Sequence, residues 1–173
     1  GVRANCHAAI YHNGKLHSQS TGEIQFTEYG VSGPVIFEIS RDACQGSGNW
    51  VCKLDFLPEV GKEMLQAELL RRKKTSLPVS ELLTGILHNR LGRVITQAVG
   101  ISGYVPVAQL EEPEIAEVCR AVKEFEIALT EPMGMDSAQV TAGGSLTKEF
   151  DEKTMESRLV PGLYACGEVL DIA

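Results

Sequence analysis

Long apolar runs are missing from these 173 residues. None approaches the roughly 18 to 20 residues that a bilayer crossing needs, and no charged stretch followed by an apolar one opens the chain. Neither a membrane anchor nor export is expected. Excess positive charge is also missing: the net charge is -7 and the pI near 5.1, so a surface built to neutralise many phosphates, and with it a nucleic-acid partner, is not expected. No CxxC or CxxH pair occurs, and the five cysteines (Cys6, Cys44, Cys52, Cys119, Cys166) are an odd number in a chain too long to need disulfide staples. A reducing, cytoplasmic setting is the simplest expectation. Walker A, HExxH and GxSxG spacings are absent. Gly46-Ser47-Gly48 lacks the third glycine of a dinucleotide fingerprint and precedes a strand instead of following one. What remains is ordinary globular composition, 43% hydrophobic and 23% charged, with a mean hydropathy of -0.04, in a chain long enough to bury a core. It opens on Gly1 and stops in the apolar run Cys166 to Ala173, which we read as two cuts in a longer protein.

Asn13-Gly14 is the dipeptide that most favours a type I′ hairpin turn, so residues 5 to 12 and 15 to 21 are predicted to pair. In that register Tyr11 faces Leu16 and Ala9 faces Ser18 on the side expected to be the core, while Ile10 faces His17 and His12 faces Lys15 on the other. Gly22 to Thr27 alternates as a third strand would, and Asn49 to Phe56 as a fourth. Pro34 suits the first turn of a short helix over Val35 to Ser40. From Val60 the period becomes helical. Met64, Leu65, Leu69 and Leu70 mark one helix, Leu82 to Leu91 a second capped by Ser80, Val94 to Val99 a short third, and Glu111 to Phe125 a fourth with acids in its first turn. Residues 126 to 130, 138 to 142 and 163 to 166 read as strands.

Strands, helices, strands is the order of an α+β chain: a small antiparallel β-barrel carrying an inserted helical bundle. The predicted domains are a barrel built from 1–59 and 124–160, a helical bundle over 60–123, and a further strand over 161–173.

Few residues carry chemistry. His7, His12 and His17 are evenly spaced, but in the hairpin register they cannot converge on a tetrahedral ion, so no metal site is expected. His88 stands alone on a helix. Arg71-Arg72-Lys73-Lys74 closes a helix, where cations complement the dipole. Residues 62 to 93 carry seven Lys or Arg against three Asp or Glu, and 111 to 168 carry five against thirteen. The cysteines are expected to be buried and inert. Two segments stand out. Gln139 to Ser145 is a strand ending in Gly143-Gly144, a pair that can adopt positive φ or admit a ligand close to the backbone. Val160 to Glu168 is a Pro-Gly turn feeding a strand whose end presents Gly167 and then Glu168, an acid placed to accept hydrogen bonds from sugar-like hydroxyls.

Those segments, Ser137 to Ser145, Lys153 to Val160 and Pro161 to Asp171, resemble the C-terminal signature of the YhiN/BaiN-type flavoproteins, NAD(P)/FAD-dependent oxidoreductases also called aminoacetone-oxidase-like. Gly22 to Pro34 resembles the same family's middle signature, and the match spans nearly the whole chain in the same order. The resemblance implies an insert domain threaded into a split FAD-binding domain, with 161–173 the first strand of the returning FAD domain. It implies hydride transfer between NAD(P)H, FAD and a small organic substrate. The FAD-binding remainder of the same chain would be the partner of this piece, which by itself should lack activity and FAD binding. By resemblance, Gly167 and Glu168 would meet the ribityl and pyrophosphate region together with Asp171, and Thr141, Gly143 and Gly144 would form the loop returning toward flavin and substrate. The family often carries His where Glu28 stands, and the catalytic residues stay unassigned. A protein-interaction or oligomerisation module is the alternative reading of the barrel and bundle.

Overall fold

The structure is a computed structural model describing residues 1–45, 48–134, 136 and 143–171. The chain divides into two compact units, Gly1–Glu131 and Pro132–Ala173.

The N-terminal unit starts with β1 (Val2–His12) and β2 (Lys15–Phe26), joined by the expected turn with Asn13 at φ 50° and Gly14 at φ 80°. Tyr11 pairs with Leu16 and His12 with Lys15 as predicted. A bulge between Ile10 and Tyr11 then shifts the ladder, so Ile10 faces Ser18 and Ala9 faces Gln19. The core face is also the other one: Cys6, Ala8 and Ile10 are buried, whereas Leu16 is 51% exposed. The expected third strand is no separate element. β2 continues through Gly22, which sits opposite Cys6 in mid-ladder and lies against Val35 of the following helix.

A short β3 (Val31–Ser32) pairs with the end of β2 and leads to α1 (Pro34–Ile39), which Pro34 opens, and α2 (Arg41–Gln45). Ser18 donates to the Ile39 carbonyl and Ser20 to the Glu38 carboxylate, tying α1 to β2. β4 (Trp50–Asp55) pairs antiparallel with β1. β5 (Phe125–Leu129) pairs antiparallel with β4, and the described residues form a five-stranded antiparallel sheet of order β3-β2-β1-β4-β5. The class is α+β, as predicted.

Between these last two strands the chain runs through α3 (Lys62–Arg72), α4 (Asn89–Ala98) and α5 (Glu112–Lys123). Leu65 and Leu69 of α3, Leu91 and Ile95 of α4, and Ile115, Val118 and Val122 of α5 join the strands in one apolar core. The helix expected over Leu82 to Leu91 does not form. A 3-10 turn spans Val79–Glu81, Gly85 adopts φ 79°, and the carbonyls of Leu82 and Thr84 are taken by the Arg72 guanidinium at 2.9 and 2.8 Å. A left-handed glycine stops the helix, and the arginine satisfies carbonyls that a helix would have used. α5 begins as predicted, with Glu112 and Glu114 in its first turn and the Glu114 carboxylate accepting from the Glu111 N–H at 2.8 Å. At its other end Lys123 reaches the Asp55 carboxylate (2.6 Å) and the carbonyls of Leu57 (2.7 Å) and Val60 (2.8 Å).

The described residues of the C-terminal unit form turns, 3-10 turns (Thr147–Glu149 and Gly167–Val169) and single bridges, and Phe150, Ser157 and Leu170 are buried. The strand expected over 163 to 166 is reduced to one bridge, Tyr164 with Glu156. The strand expected over 138 to 142 lies outside the described residues.

Candidate functional site

In the C-terminal unit two segments that the sequence singled out, 25 residues apart, come together. Ser145 donates its N–H to the Val169 carbonyl and Asp171 donates its N–H to the Ser145 carbonyl, both at 2.9 Å, around a parallel bridge between Ser145 and Leu170. Leu170 is buried beneath this joint. Just before it, the 3-10 turn opens with Gly167 at φ 74°, closes with the Leu170 N–H on the Gly167 carbonyl at 3.0 Å, and leaves Glu168 exposed. Gly143 and Gly144 adopt φ 90° and 145°. A side chain on Gly143 or Gly167 would meet nothing within 4 Å. On Gly144 it would meet the Val169 carbonyl oxygen at 2.7 Å, the Leu170 carbonyl carbon at 2.8 Å and the Asp171 nitrogen at 2.9 Å. Thus Gly143, Gly144, Gly167, Glu168 and Asp171 form one cluster, and Thr141 lies outside the described residues.

The frame behind the cluster is the segment Lys153 to Val160, whose residues matter as turn makers. The Asp151 carboxylate accepts from the N–H groups of Lys153 and Thr154 at 3.0 Å, and these bonds, with nearby Arg158, lower its pKa. Ser157 Oγ accepts from the N–H groups of Leu159 and Val160 at 3.2 Å, and Glu156 Oε1 from that of Gly162 at 2.8 Å. Backbone bonds from Ser157 to Leu163 (2.7 Å) and from Ala165 to Met155 (3.1 Å) return the chain toward Gly167. Sequence reasoning passed over Asp151 and Ser157, though each precedes its turn as an Asx or Ser turn residue should.

The histidines and the arginines of the basic run have structural partners. His7 contacts Thr21 Oγ1 at 3.0 Å, His12 stacks on Trp50 with ring centroids 4.1 Å apart, and His17 meets Trp50 edge-on at 5.1 Å. Among the described residues no cluster of His, Cys, Asp or Glu could hold a metal ion. His88 is not within a helix. It is the N-cap of α4, its Nδ1 accepting from the Arg90 N–H at 3.3 Å. Arg71 and Arg72 are both held by Glu68 at 2.7 and 2.9 Å, and the pair lowers the Glu68 pKa to about 2. The cavity of about 330 Å³ beside them is lined by these already paired groups, with Thr75, Leu77, Glu81 and Thr84. Cys6 and Cys52 are buried, and desolvation pushes their thiols up to about 11 and about 12. Cys119, buried on α5, has its pKa raised by the same cause. Cys44 and Cys166 are exposed. Glu28 is exposed in the loop after β2. No helix among the described residues is long and apolar enough to cross a membrane.

Comparison with known proteins is consistent with the resemblance drawn from the signatures. Over 99% of its length the chain is 32% identical to the 3-dehydro-bile acid delta(4,6)-reductase of Clostridium scindens, of which it covers 43%. It is 29% identical over 85% of its length to the ribosomal RNA dihydrouridine synthase of Escherichia coli, and 30% identical over 87% to that of Haemophilus influenzae, covering 36% of each. The chain therefore spans less than half the length of these curated relatives. A family model described as the HI0933-like protein barrel and H2TH domain matches residues 1–140, and the chain belongs to that family.

Proposed function

We propose that this chain is the substrate-side insert of a flavin-dependent oxidoreductase, with a barrel from 1–59 and 124–160, a helical bundle over 60–123, and a returning strand of the FAD-binding domain in 161–173. The observation that carries the reading is the joint of 143–145 with 167–171. It sets two positive-φ glycines, Gly143 and Gly167, with open space where a side chain would stand, beside the exposed carboxylate of Glu168. Such a surface fits a flat, hydroxyl-bearing cofactor. FAD, reduced by NAD(P)H, would supply the hydride. Glu168 would accept hydrogen bonds from the ribityl hydroxyls. Gly167 and Gly143 would let the backbone approach the cofactor, and Asp171 would hold the turn by its N–H bond to Ser145. Thr141 completes the proposed set.

The names of the relatives narrow the reaction. A 3-oxo steroid reduced at delta-4 and delta-6, and a uridine converted to dihydrouridine, both gain hydrogen across a carbon–carbon double bond conjugated to a carbonyl. We therefore assign the parent protein the reduction of such a bond: a hydride adds to the β carbon, a proton to the α carbon, and NAD(P)H is the reductant. A small enone is the favoured substrate, since the relative that the chain matches over 99% of its length is named for a bile-acid substrate. Uridine in ribosomal RNA is the second reading, favoured by the names of two relatives and contrary to the expectation of no nucleic-acid partner. The full-length gene product, purified and scanned for flavin absorbance, should carry FAD and consume NAD(P)H when given a 3-oxo-4-ene steroid. A colourless protein that cannot be loaded with FAD overturns the flavin reading; a flavoprotein that reduces ribosomal RNA and no small enone moves the substrate to the second reading. The 173-residue chain by itself should bind FAD negligibly, because no glycine-rich phosphate cradle is in its sequence; micromolar binding overturns that.

A further inference from the structure

We infer that Gly144 is the positioning residue of this site, acting without touching the cofactor; the inference rests on the flavin reading above. The sequence groups Gly143 and Gly144 as one flexible pair, but the structure separates them. Gly143 faces open space. Gly144 is covered by backbone on the opposite segment: the Val169 oxygen, the Leu170 carbonyl carbon and the Asp171 nitrogen all lie within 3 Å of where its Cβ would stand. Backbone cannot rotate aside as a long side chain can, so a methyl group here must drive the two segments apart. The segment it would displace carries both ends of the joint, Ser145 N–H to Val169 and Asp171 N–H to Ser145. It also closes the turn that presents Gly167 and Glu168, through the Leu170 N–H bond to Gly167 at 3.0 Å. The position of Glu168 is thereby set by a residue 24 positions earlier in the chain. Gly144 lets this chain hold the proposed cofactor edge in register, and Gly143 remains the member of the pair that an approaching ligand can reach.

The test uses the full-length protein and three variants. Gly144→Ala adds the clash to a positive φ. Gly162→Ala adds a side chain at a positive φ of 79°, against 145° at Gly144, with nothing within 4 Å, and so serves as a strained-glycine control that carries no clash. Ser145→Pro removes the N–H that bonds Val169. The expected result is that Gly144→Ala weakens FAD binding, followed by quenching of flavin fluorescence, roughly tenfold or more. Gly162→Ala should stay within about twofold although it too lowers the apo-protein melting temperature, so that a loss of stability alone does not account for a loss of affinity. Hydrogen exchange should quicken at the amides of Ser145 and Asp171 in Gly144→Ala. Wild-type affinity in Gly144→Ala, or equal losses in Gly144→Ala and Gly162→Ala, overturns the inference. If Gly144→Ala does not fold, Ser145→Pro must reproduce the loss of affinity or the inference fails. If the wild-type protein binds no FAD, the flavin reading falls and the exchange experiment decides alone: unchanged amides at 145 and 171 refute the positioning role, and quickened amides retain it for whatever ligand the turn takes.

Discussion

The two compact units are held together by different means. In the N-terminal unit a contiguous core of strand and helix side chains is buried, with Leu69, Ile95, Ile115 and Val118 fully out of water, and the driving force is apolar burial. In the C-terminal unit, Leu159, Tyr164 and Val169 are 67%, 61% and 57% exposed. Backbone and turn hydrogen bonds on Asp151, Ser157 and Ser145 do the holding. Core packing spreads its stabilisation over many side-chain contacts, so a change in one side chain forfeits a share of it. Turn geometry is set by single atoms, so the second unit can be precise without a large core, and one methyl group can disturb it.

Thiol chemistry offers the widest separation, between the packed sheet of the N-terminal unit and the exposed positions of either unit. At pH 8, Ellman's reagent should titrate Cys44 and Cys166 rapidly in the native protein, with Cys6 and Cys52 slower by about a hundredfold or more, because so little of either is thiolate. Fast modification of four thiols would show that the core of the sheet opens readily. Next in size, Ile115→Ala should destabilise the N-terminal unit by about 3 kcal/mol in urea unfolding. Lys123→Met should follow at about 2 kcal/mol, because it strands the largely buried Asp55 carboxylate and leaves two carbonyls unpaired. A neutral Lys123→Met would mean that this buried pair adds nothing net. The acid limb comes below these. The Glu68 carboxyl is lowered from 4.5 to about 2 by Arg71 and Arg72. Its contribution is complete above its ordinary pKa and disappears as pH falls from there through about 2. Glu68→Gln should flatten that part of the pH–stability curve, and an unchanged curve would assign the effect elsewhere. Smallest of all, Leu159→Ala in the C-terminal unit should change stability by under about 0.5 kcal/mol when unfolding is followed on the isolated chain.

Legibility in the sequence followed the range of the interaction. The Asn13-Gly14 turn, Pro34 at the start of α1 and the acids opening α5 depend on a few neighbouring residues, and each was read correctly. Errors arose where distant partners decide. The alternation in β1 permits either face to be buried, and the bulge after Ile10 with the helices behind Cys6 and Ala8 chose the one not expected. Leu82 to Leu91 has helical spacing, but Gly85 and the guanidinium of Arg72, ten residues before Leu82, make a turn the lower-energy solution. At the candidate site the residues themselves were legible as Gly, Gly and Gly-Glu. Their meeting was not, since no local pattern pairs residue 145 with residue 170.

By itself the sequence determined the α+β class, the hairpin, the starts of α1 and α5 and the family, because these rest on backbone preferences and on short signatures. Only the tertiary structure decided which face of β1 is core, that β2 is one long strand, and that Gly144 and not Gly143 is closed in by the Val169–Asp171 backbone. The physical reason is common to all three: burial and close approach belong to pairs of segments, and a glycine carries no mark of which distant backbone will come to rest upon it.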